Sequence, residues 1–459
     1  MNKFVDIFKN KKIFILGFGL EGKSTYKTIR TFLPELPLAI ADKKDNLKDI
    51  FESEYGHDNY VELFAGDNYL KEINDYDIVI KSPGISYKAL KGKKIRTRIS
   101  SQTELFITLF KDQIIGITGT KGKSTTTSLL MHIFMHAGKN ALLAGNIGIP
   151  PFNYISNITK DTIIAFEMSS HQLENIKVSP HIAVLLNIYQ EHLDHYGNYS
   201  LYKEAKFNIS HWQNQNDYFL VNIDNEAIKE MPKRFFGDGK QIYINSLSED
   251  NNRSFCMHGN IYFVNDKTEI TFENACINRN LKGEHNLINI QAAAVAAKLA
   301  GIETKYILEG IADFKGLAHR LETAAIINGA VFINDSISTI PEATIAALKT
   351  FTETSTLILG GYDRGINYDE LIEFIEDSPV KNLIFIGTAG KRICETFMKL
   401  FPDNDKNIFL PESFENAIET AKKITLNDEV CLLSPAASSY DMFKNFEERG
   451  DKFRLLLNT

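Results

Sequence analysis

The chain has few of the features that mark secreted, membrane-bound or nucleic-acid-binding proteins. Its four cysteines are scattered and none forms a CxxC pair, so there is no zinc signal and a reducing compartment is expected. The apolar run from Ile13 to Leu16 meets Gly17 at once and is too short for a signal peptide or a membrane span. A net charge of −7 argues against a general binder of nucleic acid or membrane surfaces. We therefore expect a cytoplasmic protein without nucleic-acid or membrane partners.

An ordinary globular composition and a repeated order of elements are present instead. Hydrophobic residues make up 44% and charged residues 24% of the 459 residues, which is enough for sizeable cores and, at ~150 residues each, about three domains. Short β-branched or aromatic runs alternate with longer amphipathic runs, and this βαβα order predicts parallel sheets covered by helices. We predict strands at residues 12–16, 38–41, 77–80, 113–117, 163–166, 182–187, 330–334, 356–359, 383–386 and 429–433, and helices at 286–300 and 340–350.

Glycines mark the start of three groups of predicted strands, and we therefore predict three sheets in an α/β fold. We predict a Rossmann-like domain over residues 1–106, a central P-loop ATPase-type domain over 107–313 and a Rossmann-like C-terminal domain over 314–459. Residues 235–282 are less regular and suggest an antiparallel insertion or sheet edge.

The most informative motif is the run of residues 115–125. A strand leads into a glycine-rich turn, Gly119–Gly122, and Lys123-Ser124-Thr125 opens a helix. Backbone N–H groups of such a turn converge on phosphate oxygens at a helix N-terminus, the lysine adds a charge, and the Ser124 or Thr125 hydroxyl reaches Mg²⁺. Ile117 stands where the strict P-loop has glycine, so the motif is a variant. It predicts a nucleoside triphosphate site, with a structural turn as the alternative.

A second glycine motif, Gly17–Gly22, matches GxGxxG after a strand, and Asp42 follows near the spacing of the dinucleotide fingerprint. Taken alone it indicates NAD and leaves an NAD-linked oxidoreductase as an alternative. Lys43 and Lys44 instead suit a phosphate, so we predict a nucleotide-type ligand.

Polar residues follow several other predicted strands, where open α/β sheets place ligand chemistry. Glu167 suits Mg²⁺, and His192 and Asp194 suit a metal or a phosphate. Arg320, at the predicted third-domain boundary, is placed to meet a transferring phosphoryl group.

Three strand ends of the third domain carry small and polar residues, and we expect them to line one crevice. They are Asp335-Ser336, residues 360–365 and residues 434–439. A nucleotide-dependent switch or a regulatory ATPase is an alternative, but it would leave this crevice unexplained.

Together these motifs resemble the Mur ligases, ATP-dependent amide-forming enzymes of peptidoglycan precursor synthesis, from Gly17 to Phe453. Glu167 and His192 match the magnesium ligands of that family. Lys206, which by itself reads as a helix-surface lysine, matches the family lysine that is carbamylated to complete a metal site. Residues 285–289 match an HNxxN motif near adenine. Residues 432–436 and 443–450 match the glutamate-adding members in particular.

The resemblance implies a monomer that uses ATP, two Mg²⁺ ions, UDP-N-acetylmuramoyl-L-alanine and D-glutamate, and that works through an acyl phosphate. The implied catalytic residues are Lys123, His192, Lys206 and Arg320. The implied nucleotide contacts are Gly119, Thr120, Lys121, Gly122, Lys123, Ser124, Thr125, Asn286, Asn289, Arg320 and Asp335. The implied metal ligands are Ser124, Glu167, His192 and Lys206. The implied substrate contacts are Gly19, Leu20, Glu21, Asp42, Lys43, Asn146, Thr339, Arg364, Ser439, Tyr440 and Phe446.

The chain departs from the family pattern after Asp335-Ser336. Residues 337–340 read Ile-Ser-Thr-Ile where Lys-Ala-Thr-Asn is common, so a lysine is missing and Arg364 is the candidate to replace its charge. We favour D-glutamate. An L-glutamate-adding relative, another Mur ligase and a folylpolyglutamate-synthase relative stay open as alternatives.

Overall fold

The computed structural model of the chain describes residues 2–90, 92, 94–145, 149–245, 247, 252–266 and 268–459. It contains three β-sheets of five, nine and six strands. The chain divides into two compact units. The first unit comprises Met1–Arg279 and His285–Phe314, and the second comprises Asn280–Glu284 and Lys315–Thr459. The predicted α/β class with three sheets is confirmed, whereas the boundaries of the three predicted domains stay predictions.

The first sheet lies in the first unit and is entirely parallel. Its strand order is β3-β2-β1-β4-β5, a doubly wound arrangement that starts from a central β1. The strands are β1 Ile13–Leu16, β2 Leu38–Asp42, β3 Val61–Ala65, β4 Ile78–Lys81 and β5 Arg98–Ser100. The helices are α1 Asn2–Phe8, α2 Leu20–Phe32, α3 Leu47–Tyr55, α4 Tyr87–Leu90 and α5 Gln102–Phe110.

The second sheet, also in the first unit, has a parallel body and an antiparallel edge. Its strand order is β14-β13-β12-β11-β10-β9-β6-β8-β7, and β12, β13 and β14 form the antiparallel meander expected within residues 235–282. The strands are β6 Ile114–Thr118, β7 Ala141–Gly145, β8 Ile163–Glu167, β9 Ile182–Leu185, β10 Tyr218–Val221, β11 Lys240–Ile244, β12 Asn252–Met257, β13 Asn260–Asn265 and β14 Thr268–Phe272. The helices are α6 Lys123–His136, α7 Ser170–Leu173, α8 Leu193–Tyr196, α9 Tyr199–His211, α10 Glu226–Lys229, α11 Asn286–Leu299 and α12 Thr304–Asp313.

The third sheet belongs to the second unit and has the order β15-β16-β20-β17-β18-β19. Only its first two strands pair antiparallel among the described residues. The strands are β15 Glu322–Ile327, β16 Ala330–Asn334, β17 Thr354–Gly360, β18 Asn382–Ile386, β19 Asn407–Phe409 and β20 Val430–Leu433. The helices are α13 Pro341–Thr350, α14 Asp369–Glu376, α15 Gly387–Leu400, α16 Phe414–Ile424 and α17 Phe446–Leu457.

The central strands are buried on both faces, which is why they read as continuous apolar runs in the sequence. All four residues of β1 and all five of β6 are buried. Within the first unit, Phe4 of α1 meets Phe152 edge to face at 5.5 Å between ring centroids, so residues of the first and second sheet regions share one core. Among the residues that the structure describes, no helix combines the length and apolar character that crossing a bilayer requires.

Candidate active site

The phosphate loop joins the end of β6 to the start of α6. Gly122 precedes α6 and has a φ of 84°, in the left-handed region that glycine adopts without strain. A Cβ at this position would overlap the side-chain oxygen of Asn289. Glycine is therefore needed at this turn both for its conformation and for the close approach of α11.

Lys123 lies on the loop rather than in solvent. Its Nζ donates hydrogen bonds to the carbonyl oxygens of Gly119 and Thr120, each at 3.0 Å. Ser124 is half-buried and Thr125 is buried in the first turn of α6. The predicted lysine, hydroxyls and backbone donors are thus gathered at one helix N-terminus, the arrangement that binds phosphate groups.

The segment that follows β9 holds the other side of this loop. Asn187 accepts a hydrogen bond from the backbone N–H of Lys121 at 2.8 Å through its side-chain oxygen, and its carbonyl accepts one from Thr120 at 2.9 Å. Lys121, which stands where the family has asparagine, pairs with Glu191 at 2.8 Å at an exposed position. Asn187 was not among the predicted site residues, although its position just after a buried strand was a usable signal.

The two predicted adenine contacts lie against α6. Asn289 donates to the side-chain oxygen of Asn286 at 2.8 Å and accepts from the Thr126 hydroxyl at 3.3 Å. Both asparagines are buried, with 4% and 5% of their surface exposed. The HNxxN segment therefore packs directly on the helix that begins at the phosphate loop.

Lys206 is buried beneath the phosphate loop. It is 1% exposed, and its Nζ donates to the Gly119 carbonyl at 2.7 Å and lies 5.0 Å from the Tyr202 ring centroid. Burial, reinforced by the charge of Lys123, lowers the pKa of Lys206 well below its usual value, against the opposing charges of Glu191 and Glu167. The interpretation of Lys206 as a helix-surface lysine is wrong, because α9 turns this side chain inward.

The predicted metal ligands lie around the same loop. Glu167 ends β8, pairs in register with Ile117 of β6 and is 1% exposed. His192 precedes α8 with a φ of 56°, and its ring lies 4.7 Å from that of His171 and 6.1 Å from that of Tyr202. The oxygens of Ser124 and Glu167 fit the ligands that Mg²⁺ prefers. The residues present are therefore suited to hold magnesium beside phosphates.

His171 belongs to this cluster and was not predicted. Its ring centroid lies 4.2 Å from that of His195 and 4.7 Å from that of His192. Burial, followed by the charges of these two histidines, lowers the pKa of His171 to about 4. The ring is therefore neutral at physiological pH.

The Gly17–Gly22 motif forms a tight turn in which Asp42 has a structural role. Asp42 accepts a hydrogen bond from the backbone N–H of Phe18 at 2.8 Å and another from Lys44 at 3.1 Å. A Cβ on Gly22 would overlap the carbonyl oxygen of Gly17, so this glycine lets α2 pack on the turn. Gly19, Leu20 and Lys43 are exposed beside it.

Glu21, in the first turn of α2, contacts residues from elsewhere in the first unit. Its Oε1 accepts a hydrogen bond from Gln172 at 3.0 Å, and its backbone carbonyl accepts one from Gln102 at 3.2 Å. Burial raises the pKa of Glu21 to about 7, although Gln172 and Lys81 act against this rise. Gln102 and Gln172 were not predicted, and Asn146 lies outside the described residues.

The second unit brings its predicted residues to adjacent strand ends. Asp335 is 2% exposed and accepts from the Ser434 hydroxyl at 2.8 Å and from the Leu321 N–H at 3.3 Å. Burial raises the pKa of Asp335 to about 6, opposed by its hydrogen bonds and by the charge of Arg320. Arg320 is half-buried, and its backbone N–H donates to the Leu317 carbonyl.

The amino-acid candidates surround the same strand ends. Arg364 is exposed and donates through Nη2 to the Thr339 carbonyl at 2.9 Å. Ser439 is buried, whereas Tyr440 is 68% exposed. The loop after β17 joins the loop after β20 through the Tyr362 N–H and the Ser438 carbonyl at 2.8 Å. The carbonyl of Phe446, a partly buried residue, accepts from Ser336 at 2.8 Å.

Arg449 is the buried cation under these loops, and sequence reasoning did not identify it. It is fully buried and donates to the Ser336 hydroxyl at 3.0 Å, the Ser336 carbonyl at 2.8 Å and the Ala437 carbonyl at 3.1 Å. Burial lowers the pKa of Arg449 to about 10, so it stays charged at neutral pH. The sequence feature that could have identified Arg449 is its position within residues 443–450, the segment that resembles the glutamate-adding Mur ligases.

Comparison with known proteins shows similarity along the whole chain. The family model of the Mur ligase middle domain matches residues 117–297. The UDP-N-acetylmuramoylalanine–D-glutamate ligase of Clostridium acetobutylicum is 33% identical over 467 residues, which covers 100% of this chain and 98% of that protein. The chain belongs to the Mur ligase family. The ligase of the same name from Clostridium kluyveri is 34% identical over 470 residues, covering 99% of this Mur ligase and 98% of the relative.

Solved structures agree with this fold assignment. The UDP-N-acetylmuramate–alanine ligase of Thermotoga maritima superposes on this Mur ligase with a TM-score of 0.55 at 16% identity, covering 98% of this chain and 99% of that one. The MurF ligase of Thermotoga maritima, solved in complex with ADP, gives a TM-score of 0.56 at 15% identity, covering 97% and 95%. At such identities the likeness establishes the fold, and the predicted family is confirmed by the closer relatives.

Proposed function

We propose that this Mur ligase joins D-glutamate to UDP-N-acetylmuramoyl-L-alanine at the expense of ATP, through an acyl phosphate, in cytoplasmic peptidoglycan precursor synthesis. The observation that carries this proposal is end-to-end similarity to relatives named for that activity. The substrates, the monomeric state and the cytoplasmic location all belong to the proposal. So do the roles of the three predicted domains, which are uridine binding for residues 1–106, ATP binding for 107–313 and amino-acid binding for 314–459.

The phosphate loop supports the ATP-binding part of the proposal. Backbone donors of Gly119–Gly122 and the Lys123 ammonium would bind the β- and γ-phosphates, with Ser124 and Thr125 beside them. Asn286 and Asn289 lie against α6 and are the candidates for the adenine end of ATP. The Lys123 Nζ already lies beside the loop, where it bonds to the Gly119 and Thr120 carbonyls, and it would exchange these bonds for phosphate oxygens when ATP binds.

Ser124, Glu167, His192 and a carbamylated Lys206 would hold two Mg²⁺ ions. Bound Mg²⁺ supplies charge neutralisation for the phosphoryl group. The buried position of Lys206 favours the neutral amine, which is the form that reacts with carbon dioxide. The resulting carbamate anion would face Lys123 and offer two oxygens where the unmodified side chain offers none.

The reaction requires positioning more than covalent help from the protein. The carboxylate of the UDP-linked substrate attacks the γ-phosphorus of ATP and ADP departs. The glutamate amine then attacks the acyl carbon and inorganic phosphate departs. Water must be excluded while the acyl phosphate exists, because hydrolysis would waste it.

The other predicted residues would bind the uridine nucleotide, glutamate and ATP. Gly19, Leu20, Glu21, Asp42, Lys43 and Asn146 are the candidates for the uridine nucleotide. Thr339, Arg364, Ser439, Tyr440 and Phe446 are the candidates for glutamate, and Arg320 and Asp335 for the nucleotide. Arg364 replaces the missing lysine as the cation for a glutamate carboxylate, since guanidinium groups bind carboxylates in a bidentate manner.

The deciding experiment measures phosphate release with ATP and UDP-N-acetylmuramoyl-L-alanine. It is run with D-glutamate, with L-glutamate and without an amino acid, and the product is identified by mass. We expect release that requires both substrates and a product with D-glutamate. Exclusive use of L-glutamate would transfer the chain to an L-glutamate-adding branch. NADH turnover without phosphate release would support the oxidoreductase alternative.

A further inference from the structure

A second cluster of metal-ligating side chains lies at the other end of α6. His132 and His136 are four residues apart and therefore share one face of the helix. Asp313, the last residue of α12, faces both of them. The two Nε2 atoms are 3.2 Å apart, and Asp313 Oδ2 lies 3.3 Å from Nε2 of His136 and 3.6 Å from Nε2 of His132.

We propose that His132, His136 and Asp313 bind a tetrahedral transition-metal ion of the Zn²⁺ class. Zn²⁺ binds imidazole nitrogen and carboxylate oxygen at about 2.0–2.1 Å, and a tetrahedron of that size has edges of about 3.3–3.4 Å. The three observed separations, 3.2, 3.3 and 3.6 Å, lie within about 0.3 Å of those edges. The side chains are therefore already spaced as one face of a zinc coordination sphere.

Hydrogen bonding among the three atoms is an incomplete explanation of this geometry. If one ring carries a proton on Nε2, one of the three contacts still brings two lone pairs together. If both rings carry it, two nitrogen donors lie 3.2 Å apart and neither can accept a hydrogen bond from the other. A single cation bound by all three atoms would remove each of these repulsions, because every one of the three would then act as a donor to the same positive charge.

The site is chemically and spatially distinct from the proposed magnesium site. Two nitrogen ligands and one oxygen suit Zn²⁺, whereas Mg²⁺ prefers oxygen ligands and phosphates. His132 and His136 follow Lys123, the first residue of α6, by roughly 14 Å and roughly 20 Å along the helix at 1.5 Å per residue, so the cluster lies away from the phosphate loop. Asp313 is 61% exposed, which leaves a fourth ligand position for water. The ion would tie the end of α12 to the last turn of α6.

The test is a Zn²⁺ titration of the metal-stripped full-length protein by calorimetry, with saturating Mg²⁺ present throughout. We expect His136→Gln and Asp313→Asn to lose one binding event, or at least about tenfold of its affinity. His258→Ala, which removes an exposed histidine elsewhere, should bind as the unmodified protein does. Zn²⁺ should also raise the melting temperature of the unmodified protein and of His258→Ala. It should leave the melting temperature of Asp313→Asn unchanged.

The exposure of Asp313 makes its variant a fair test, because Asp313→Asn should melt as the unmodified protein does without metal. Unchanged Zn²⁺ stoichiometry and affinity in both variants would overturn the proposal. The absorption spectrum of the protein with Co²⁺ in place of Zn²⁺ is a second, independent measurement. Thiolate charge-transfer absorption would place the metal at Cys256 and Cys276, whose sulfurs are 2.9 Å apart, and would also overturn it.

Discussion

The most consequential single residue of the first unit is Lys206, a lysine buried under a phosphate loop. An ammonium ion so placed would repel Lys123 and lose its hydration, whereas a carbamate would be attracted to Lys123 and could bind a metal ion. The side chain is 1% exposed, so its environment selects against the charged amine.

We therefore expect Lys206→Ala to lower ligase activity by more than about a hundredfold, as loss of a metal ligand would. Added acetate should restore part of the activity by supplying the missing carboxylate oxygens. Lys203→Ala, one turn earlier on α9, is the matched control and should keep most of the activity, because Lys203 contacts Glu230 and the Tyr199 ring. Steady-state phosphate release measures both variants, and Lys206→Ala with and without acetate. A fully active Lys206→Ala enzyme would remove this lysine from the site.

Glu21 gives a prediction about pH. Its folded-state pKa of about 7 lies above the ordinary value of 4.5, so the folded protein favours the protonated form. Stability from this group is present below pH 4.5 and declines as the pH rises through about 7. Glu21→Gln should therefore raise the melting temperature at pH 8 and leave it unchanged near pH 4.5.

The higher melting temperature at pH 8 should correspond to an increase of about 1–2 kcal/mol in the free energy of unfolding. This is less than the full linkage value because the side chain is only half-buried. Differential scanning calorimetry at the two pH values measures it. An equal shift at both would show that Gln172, which bonds to Glu21, prefers an amide partner for reasons unrelated to charge.

Helix α17 organises the strand ends of the second unit through Arg449. Three hydrogen bonds from this fully buried guanidinium reach the loops after β16 and β20, which are adjacent in the sheet. Those loops carry Asp335 and Ser439, so the position of both residues depends on a buried cation that bonds to neither of them but to Ser336 and Ala437. This arrangement explains why the C-terminal motif includes an arginine.

Arg449→Met should lower the free energy of unfolding of the second unit by about 2–4 kcal/mol, because it leaves buried acceptors without a donor. Arg454→Ala, five residues later on α17, is the control. Its guanidinium is 40% exposed and pairs with Glu322 and Asp451, so we expect a loss within about 1 kcal/mol. Urea unfolding of the full-length protein compares the two. Equal losses would mean that the buried hydrogen bonds of Arg449 contribute little.

For the whole molecule, the kind of nucleotide that binds at the first sheet tests the proposed function. Asp42 bonds to the Phe18 N–H and is therefore engaged in the turn where a dinucleotide-binding protein offers its carboxylate to ribose. We expect calorimetric binding of a UDP-sugar substrate and none of NADH. Gly22→Val should weaken the UDP-sugar, since its side chain would overlap the Gly17 carbonyl and displace the turn. Tight NADH binding that Gly22→Val abolishes would contradict the ligase assignment of this sheet.

Local sequence patterns were sufficient to predict the three sheets and the strand-end positions of most site residues. Short apolar runs such as Ile114–Thr118 and Val430–Leu433 became buried strands, because burial on both faces of a parallel sheet leaves a continuous apolar signature. Gly122 and Lys123 were recognisable for a different reason, because a phosphate loop is built from consecutive residues. The resemblance to the Mur ligases added Lys206, which no local pattern distinguished from a surface lysine.

Only the tertiary structure determined which distant residues meet. His136 and Asp313 are 177 positions apart in the chain, Glu21 and Gln172 are 151 apart, and Arg449 and Ser336 are 113 apart. The pKa values of Glu21 and Lys206 depend on the burial and the charges that such contacts create, and neither property is encoded in the neighbouring sequence. The sequence by itself thus determined the elements and the chemistry at their ends, whereas packing decided which groups are buried, charged and paired.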